Sequence, residues 1–294
     1  MSMTSKSREA MADSANPLGM AGIEFIEYVT SRPQALGQAL EMMGFRPVAR
    51  HRSREVMLYR QGMMNIIINA HVSERPSSLI PDEKPVIAAI ALRVRDAAAA
   101  YQYVLDRGAW AVPTHVAVME LNIPAIHGVG SSRIYFVDRF EEFSIYDVDF
   151  VPIPTVDPKP PAFSGLHWFG LVQYIGNDRM GDWIEFYQEL FGFTLVPVEK
   201  HFGIMTKGRM LRSPCRSFYL QLIEPEPGIV DVEDDEMLQR IGLGTPDVPA
   251  TVKALRGRGV QFVEVPAQAP SERGALTTNW LGSVAFELVQ EERA

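Results

Sequence analysis

Apolar residues recur in the same order in the two halves of the chain. Residues 36–45 and residues 183–193 each place apolar side chains at helical spacing and end in a Gly-Phe pair, which predicts an amphipathic helix with a glycine cap. The two capping glycines are 148 positions apart. Short alternating strands at residues 134–137 and 284–287 recur at an offset of 150. This repeat predicts two homologous modules.

Each half also contains a predicted strand followed by a helix that ends in an Arg-Gly-apolar sequence, at residues 96–108 and 247–259. Between the halves, a segment has five prolines in its first eleven positions, too many missing backbone donors for a central strand or a helix. The predicted organisation is a disordered tail at 1–17, an amino-terminal module at 18–150, a linker at 151–164 and a carboxy-terminal module at 165–294.

The order of predicted elements in each half is strand, helix, a run of hairpins, then strand, helix and further strands. This order is typical of an α+β fold in which helices pack on one face of a curled antiparallel sheet. The opposite face of each sheet is then free to hold a ligand. The fold class therefore already predicts where a binding site would lie.

Composition places the chain among folded proteins and excludes several classes of partner. Of its 294 residues, 47% are hydrophobic and 22% are charged, unlike a disordered or coiled-coil protein. The net charge of −8 comes with no basic cluster, so we expect neither nucleic acid nor a membrane surface as partner. No apolar run reaches the roughly 20 residues of a bilayer-spanning helix. Cys215 is the only cysteine, which is typical of a reducing, cytoplasmic location.

Four segments of the first half resemble a known family: GIEFIEYV at Gly22, MMGFRPVARHRS at Met42, LYRQGMMNIIIN at Leu58 and MELNIPAIHGVGSSRIYFVDRF at Met119. They are similar to the amino-terminal domain of bacterial 4-hydroxyphenylpyruvate dioxygenase. The likeness is dense over about residues 17–158 and continues more thinly to Gln290. It implies the vicinal-oxygen-chelate fold of the glyoxalase, bleomycin-resistance and dioxygenase superfamily. The two modules would then consist of paired βαβββ units, with the active site inside the second.

The resemblance also implies an Fe(II) ion held by two histidines and one carboxylate, with open positions for a 2-oxo acid and O2. Glu287 stands where the family has its glutamate. Gly170 stands at the position of the first histidine and Arg240 at that of the second. Only one of the three ligands is matched, so the sequence leaves the cofactor open.

His167 is a candidate substitute for a missing ligand. It lies three residues before Gly170, and an odd offset on a strand points to the opposite face unless a bulge intervenes. The remaining histidines show no metal-binding spacing; they are His51, His71, His115, His127 and His201. The repeat offsets place three residues without ligating side chains at the equivalent positions of the first module, namely Gly22, Ala89 and Val137.

Arg240 changes the chemistry expected at the site. A guanidinium stays protonated and cannot ligate a metal, but its fork suits a carboxylate. If it faces inward, Arg240 can neutralise Glu287 at the former metal position or bind the carboxylate of an incoming acid. The alternative is a solvent-facing side chain beside the acidic segment 231–236.

Three other residues are expected to line a ligand cavity at this place. Gly170 would contribute bare backbone, and Trp168 shares its strand parity and would face the same side. Gln221 is the one amide in the strand predicted at 217–225. A shift of one residue in its register would turn Gln221 outward.

Three hypotheses about function follow. The first is a divergent homologue of the dioxygenase that binds a small aromatic or 2-oxo carboxylic acid in the second module and has lost the iron site. The second is an Fe(II)-dependent dioxygenase in which Glu287 works with displaced ligands such as His167 and water. The third is a non-catalytic partner or ligand sensor that pairs through the first module with itself, as a homo-oligomer, or with an active homologue.

Overall fold

A computed structural model describes most of the chain. The described residues are 15–71, 84–113, 121–141, 143–197, 203, 207–225, 236–265 and 268–290. The predicted tail falls mostly outside these ranges, but Asn16 is placed, because its Oδ1 accepts a hydrogen bond from the backbone N–H of Met20 at 2.7 Å.

Within the described residues, the amino-terminal module forms one sheet of eight strands, together with the α-helices named here. Its elements are β1 (Gly22–Val29), α1 (Pro33–Met42), β2 (Arg46–His51), β3 (Val56–Gln61), β4 (Met64–Asn69), β5 (Val86–Arg93), α2 (Ala97–Leu105), β6 (Ala125–His127), β7 (Arg133–Val137), α3 (Ile145–Asp149) and β8 (Phe150–Pro152). The strand order is β6-β7-β5-β1-β4-β3-β2-β8. The centre of the sheet is β1, which pairs antiparallel with β5 and parallel with β4.

The carboxy-terminal module contains a second sheet, of seven strands. Its elements are β9 (His167–Tyr174), α4 (Met180–Phe191), β10 (Thr194–Leu195), β11 (Arg209–Arg212), β12 (Tyr219–Ile223), β13 (Met237–Thr245), α5 (Val248–Arg256), β14 (Gly274–Leu276) and β15 (Phe286–Gln290). The strand order is β10-β11-β12-β9-β13-β15-β14. Here β9 takes the central place, antiparallel to β13 and parallel to β12.

The α+β class predicted from the sequence is confirmed, but the sheets are mixed and not wholly antiparallel. In each βαβββ unit the last strand returns beside the first and runs in the same direction. This gives four parallel pairs: β1 with β4, β5 with β7, β9 with β12, and β13 with β15. The hydrophobic pattern could not predict this pairing, because it identifies strands and not their neighbours.

Local sequence explains where the helices begin and end. Asp96 and Asp247 accept hydrogen bonds from the backbone N–H groups of Ala99 and Ala250 at 2.9 and 2.8 Å, so equivalent helices of the two modules start with the same cap. Helix α4 ends at Gly192, whose φ of 76° is left-handed. The glycine cap predicted for this helix is therefore confirmed.

The proline-rich segment between the sheets lies against the first module. The backbone N–H of Gly62 donates to the carbonyl of Pro160 at 2.8 Å. The N–H of Phe163 donates to Oε1 of Gln61 at 2.7 Å. These contacts fix the path of the chain into the second sheet.

The two modules share one hydrophobic core on the helical side of the sheets. In β1, Ile26 points into this core, while Phe25 belongs to a separate cluster on the opposite, concave face of the sheet. Across the modules, the rings of Phe136 and Phe191 stack with centroids 6.3 Å apart. Among the helices described, none is long and apolar enough to span a bilayer.

Candidate functional site

Three adjacent strands of the second sheet place Gly170, Gly242 and Glu287 in one row. Gly170 of β9 is opposite Gly242 of β13, and Gly242 is beside Glu287 of β15. Glu287 is only 4% exposed, and its strand neighbours Phe286 and Leu288 are fully buried. A carboxylate in such surroundings requires a partner that supplies positive charge or hydrogen bonds.

Arg240 supplies that partner from β13, two residues before Gly242. Its Nε donates to Oε2 of Glu287 at 3.0 Å, and the two side chains are 3% and 5% exposed. Nη1 donates to Oε1 of Gln239 at 3.1 Å. Nη2 is buried and has no hydrogen-bond partner within the part of the chain that the structure describes. The guanidinium therefore faces inward, and the solvent-facing alternative does not occur.

The cavity beside this ion pair is very small. Its volume is about 20 Å³, and its walls include Gly170, Val172, Tyr219, Gln221 and Glu287. A space of this size holds about one water molecule. As it stands, the cavity cannot accept an aromatic ring or a 2-oxo acid.

Strand β12 lies close against β9 at this cavity. A Cβ added to Gly170 would lie 2.0 Å from the carbonyl oxygen of Tyr219, which no side chain tolerates. The ring of Tyr219 also stacks on Phe169, with centroids 5.0 Å apart. The absence of a side chain at position 170 thus permits a close approach of β12 to β9.

Backbone also covers Glu287 from the other side. A Cβ on Gly203 would overlap with Oε1 of Glu287, so the backbone of this glycine lies against the carboxylate. The φ of Gly203 is 66°, a conformation that favours glycine. Neither Gly203 nor Gly242 was singled out from the sequence. The Gly-x-Gly pattern at 242–244 within a strand was the one available signal of a close backbone approach.

Comparison with known proteins shows the family to which this chain belongs. Residues 14–151 match the model described as hydroxyphenylpyruvate dioxygenase, amino-terminal, and residues 165–279 match that of the glyoxalase/bleomycin resistance protein/dioxygenase superfamily. The chain is 34% identical over 268 residues to 4-hydroxyphenylpyruvate dioxygenase of a Pseudomonas species, covering 85% of this chain and 73% of the relative. The chain belongs to the 4-hydroxyphenylpyruvate dioxygenase family.

Relatives of this family member carry several names. "Hemolysin VllY" of Vibrio vulnificus is 34% identical over 272 residues, which cover 87% of this chain and 75% of the relative. "3-Dehydroshikimate dehydratase" of Pseudomonas aeruginosa is 30% identical over 257 residues, which cover 83% of this chain but only 40% of the relative. The family unit therefore also occurs as one part of a longer protein.

Solved structures confirm the vicinal-oxygen-chelate fold expected from the resemblance. A fusion of a xylose isomerase-like TIM barrel with 4-hydroxyphenylpyruvate dioxygenase superposes with a TM-score of 0.73 at 23% identity, over 94% of this chain and 50% of the other. A mutant of 4-hydroxymandelate synthase from Streptomyces coelicolor gives a TM-score of 0.70 at 18% identity, over 94% of both chains. At these identities the likeness shows the fold alone.

The residues that the resemblance places at the family's iron position do not fit an iron ion. Gly170 has no side chain, and the permanent positive charge of Arg240 opposes a dication beside Glu287. Within the described residues, no group of three or more His, Cys, Asp or Glu side chains is arranged to hold a metal. Among the residues that the structure describes, the donor set at this place is therefore one carboxylate, already paired with an arginine.

His167 does not replace a missing ligand in this structure. Its Nδ1 lies 3.1 Å from the carbonyl oxygen of Gly165, and its ring lies over the backbone of Gly244. In the sheet register, Gly244 is beside Val289, two positions beyond Glu287. His115 and His201 lie outside the described residues.

Trp168 does not line the cavity, contrary to the expectation from strand parity. Between Trp168 and Gly170 strand β9 advances two residues, while β13 advances one, from Gly242 to Leu243. This bulge breaks the alternation of side chains. Trp168 therefore joins Leu243 in the core, and Phe169 takes the place in the cavity wall.

Gln221 faces the cavity at the register expected from the sequence. It pairs with Val172 of β9 and is 8% exposed. Its Nε2 donates to the carbonyl of Lys207 at 2.7 Å. The amide therefore helps to close the site.

Proposed function

We propose that this member of the 4-hydroxyphenylpyruvate dioxygenase family holds no iron and has lost the iron-dependent oxygenation. The observation that carries the proposal is the buried ion pair between Arg240 and Glu287 at the metal position. The guanidinium of Arg240 supplies a positive charge beside Glu287, as Fe(II) would in an iron site. It offers no open coordination position to O2 or a substrate.

The energetics of the pair oppose metal binding. An entering dication would have to separate Glu287 from Arg240 and leave the guanidinium buried without its counter-ion. Breaking a buried pair in this way costs about 3–5 kcal/mol. With one carboxylate as the protein ligand that the described residues offer, coordination does not offset this cost.

A second candidate function is binding of a small carboxylic acid at Arg240, aromatic or 2-oxo in kind. It is favoured by the buried Nη2 of Arg240, which has no partner in the described structure and could donate to a carboxylate. The cavity of about 20 Å³ has no room for such an acid. Binding would therefore require β12 to move away from β9, with separation of the Phe169 and Tyr219 rings.

Metal analysis and turnover test the first proposal together. The purified chain should contain far less than one iron per chain after incubation with Fe(II) under anaerobic conditions. It should consume no O2 with 4-hydroxyphenylpyruvate, while an active relative treated in the same way does. About one bound iron with O2 uptake would overturn the proposal and support a dioxygenase with displaced ligands.

Binding of a carboxylic acid at Arg240 is tested separately, by calorimetry. Isothermal titration with phenylpyruvate should give a saturable signal that is absent in the double variant Arg240→Met with Glu287→Leu, in which no buried carboxylate is left unpaired. A flat titration with the parent chain would contradict this candidate and leave the ion-pair proposal intact. The homo-oligomer and the cytoplasmic location expected from the sequence stay predictions.

A further inference from the structure

The concave face of the amino-terminal module contains a second and much larger cavity. Its volume is about 370 Å³, against about 20 Å³ at the equivalent face of the carboxy-terminal module. Strands β1, β3, β4 and β7 form its floor, and α3 and β8 border it. The volume lies within the range of about 300–1,000 Å³ that is usual for small-molecule sites.

Small residues on β5 explain why this face stays open. The sequence repeat places Ala89 at the position that Arg240 occupies in the second module. In the sheet, Ala89 lies between Glu27 of β1 and Arg133 of β7, which both line the cavity. Where the second module has a large side chain at the centre of its site, the first has a methyl group.

Charged groups of both signs line the cavity. Glu27 is 7% exposed at the floor, where its Oε1 accepts a hydrogen bond from Nδ2 of Asn69 at 2.8 Å. Arg133 stands in the same row of the sheet, two strands away. Arg54 and Asp149 also line the cavity, so two arginines and two acidic residues contribute to its wall, and Nη1 of Arg133 donates to the hydroxyl of Tyr135 at 3.3 Å. Such a lining suits a ligand that carries both charges and disfavours a simple anion or cation.

Aromatic rings form another part of the wall. Phe25 and Tyr135 lie on either side of Ala91, and their ring centroids are 5.8 Å apart. Phe150 and His51 meet edge to face at 5.2 Å. All four residues line the cavity, which therefore provides flat apolar surface next to the charged groups.

We propose that this cavity binds a small aromatic zwitterion of the α-amino acid class. The ammonium group lies at Glu27, the carboxylate at Arg133, and the ring against Phe25 and Tyr135. An ammonium has three donors for the oxygens of Glu27, and the guanidinium fork matches a carboxylate. The site is independent of the carboxy-terminal module and of whether that module holds iron.

Calorimetric titration of the full chain with four probes tests the ligand class. L-phenylalanine carries all three groups; phenethylamine lacks the carboxylate, hydrocinnamate lacks the ammonium and L-alanine lacks the ring. We expect saturable binding of one L-phenylalanine per chain, and each other probe should bind at least tenfold more weakly. A dissociation constant of about 1 mM already corresponds to weak binding. Failure to saturate with L-phenylalanine at about 10 mM would therefore overturn the proposal. So would equal binding of a truncated probe.

Two glutamates of β1 provide a matched pair of variants. Glu27→Gln keeps an acceptor for Asn69 but removes the charge, and should weaken L-phenylalanine binding at least tenfold. Glu24 is also buried and also accepts a hydrogen bond from an asparagine of β4, Asn65, at 3.2 Å, but it lies outside the cavity and is paired with Arg93. Glu24→Gln should leave the affinity within twofold. Equal losses in both variants, or none in Glu27→Gln, would overturn the assignment.

A third variant tests whether the carboxylate of the ligand binds at Arg133. It remains informative if Glu27→Gln does not fold. Arg133→Gln, on β7 next to the edge of the sheet, should weaken the binding of L-phenylalanine and hydrocinnamate at least fivefold. It should leave the affinity for phenethylamine unchanged. Near-ultraviolet circular dichroism shows whether each variant is folded. Loss of phenethylamine binding to the same extent as L-phenylalanine would contradict a carboxylate at Arg133.

Discussion

Arg240 and Glu287 are joined by one hydrogen bond, from Nε to Oε2 at 3.0 Å. An arginine commonly meets a carboxylate through two parallel bonds, but here Nη1 is turned to Gln239 and Nη2 has no partner among the described residues. The pair is therefore buried without full satisfaction of its donors. Such pairs contribute little net stability relative to apolar residues of similar size, although loss of one partner is severe.

The first prediction concerns this pair. Arg240→Met should lower the free energy of unfolding by about 3–5 kcal/mol, because Glu287 is left as an unpaired buried charge. The double variant Arg240→Met with Glu287→Leu should regain most of this loss. Urea denaturation followed by circular dichroism measures both. The exposed pair Arg179–Asp182 is the control, and its removal should cost less than about 1 kcal/mol. Equal stability of the single and double variants would refute the expected coupling.

The second prediction compares two glycines in one row of the sheet. Gly170→Ala should destabilise the protein by about 1–3 kcal/mol, because the new Cβ meets the carbonyl oxygen of Tyr219. At Gly242 the nearest atom to an added Cβ is 3.4 Å away, on Phe169, so Gly242→Ala should change stability by less than about 1 kcal/mol. Thermal unfolding of both variants decides the comparison. Equal stability of Gly170→Ala and Gly242→Ala would contradict the close contact between β12 and position 170.

The third prediction is a dependence of stability on alkaline pH. Burial raises the pKa of Tyr28, of Tyr146 and of Tyr187 well above the ordinary value of 10.0. In the unfolded chain these phenols ionise near pH 10, whereas the folded chain keeps them protonated. The stability that these protonated phenols contribute is therefore complete below pH 10. It is lost as the pH rises from there towards the raised pKa values of the folded chain.

Absorbance at 295 nm, followed against pH, measures this effect. The chain has nine tyrosines, and Tyr28, Tyr146 and Tyr187 should ionise only together with unfolding, as a late and cooperative step. Ionisation of all nine with a single midpoint near pH 10, while the near-ultraviolet circular dichroism stays native, would contradict the prediction.

The fourth prediction concerns the contact between the modules. Arg258, just after α5, donates from Nε to the carbonyl of Met42 at 2.9 Å and from Nη2 to that of Glu41 at 2.6 Å, at the carboxyl end of α1. Arg258→Met should lower stability by about 1–3 kcal/mol through the loss of these charged donors. Differential scanning calorimetry should show two partly separated transitions in place of one.

A neighbouring arginine provides the control for this experiment. Arg256 pairs with Glu264, and these side chains are 48% and 66% exposed. Arg256→Met should therefore change the midpoint of unfolding by no more than a few degrees and preserve a single transition. A similar effect of both substitutions would mean that Arg258 does not link the modules.

Much of the fold could be predicted from the sequence because its signals are local. The repeat predicts helices that begin at Asp96 and Asp247 and a glycine that ends α4, and the structure places these helices and Gly192 accordingly. These inferences needed only the spacing of residues along one segment. The inward direction of Arg240 was one of two alternatives and was implied by the family resemblance.

Other parts of the site depend on how strands lie beside each other. The bulge that turns Trp168 into the core is a mismatch between β9 and β13, which neither strand shows by itself. The large cavity of the first module arises because Ala89 lies between Glu27 and Arg133, three residues far apart in the sequence. Hydrophobic periodicity contains no information about such neighbours across a sheet.

The glycine at position 170 has a consequence for any attempt to build an iron site at this place. A histidine introduced there would direct its Cβ against the carbonyl oxygen of Tyr219, at 2.0 Å. Substitutions that supply metal-binding side chains alone would therefore strain the sheet before they could bind a metal. Under the proposed loss of iron, recovery of an oxygenase would first require Tyr219 and the strand that carries it to move.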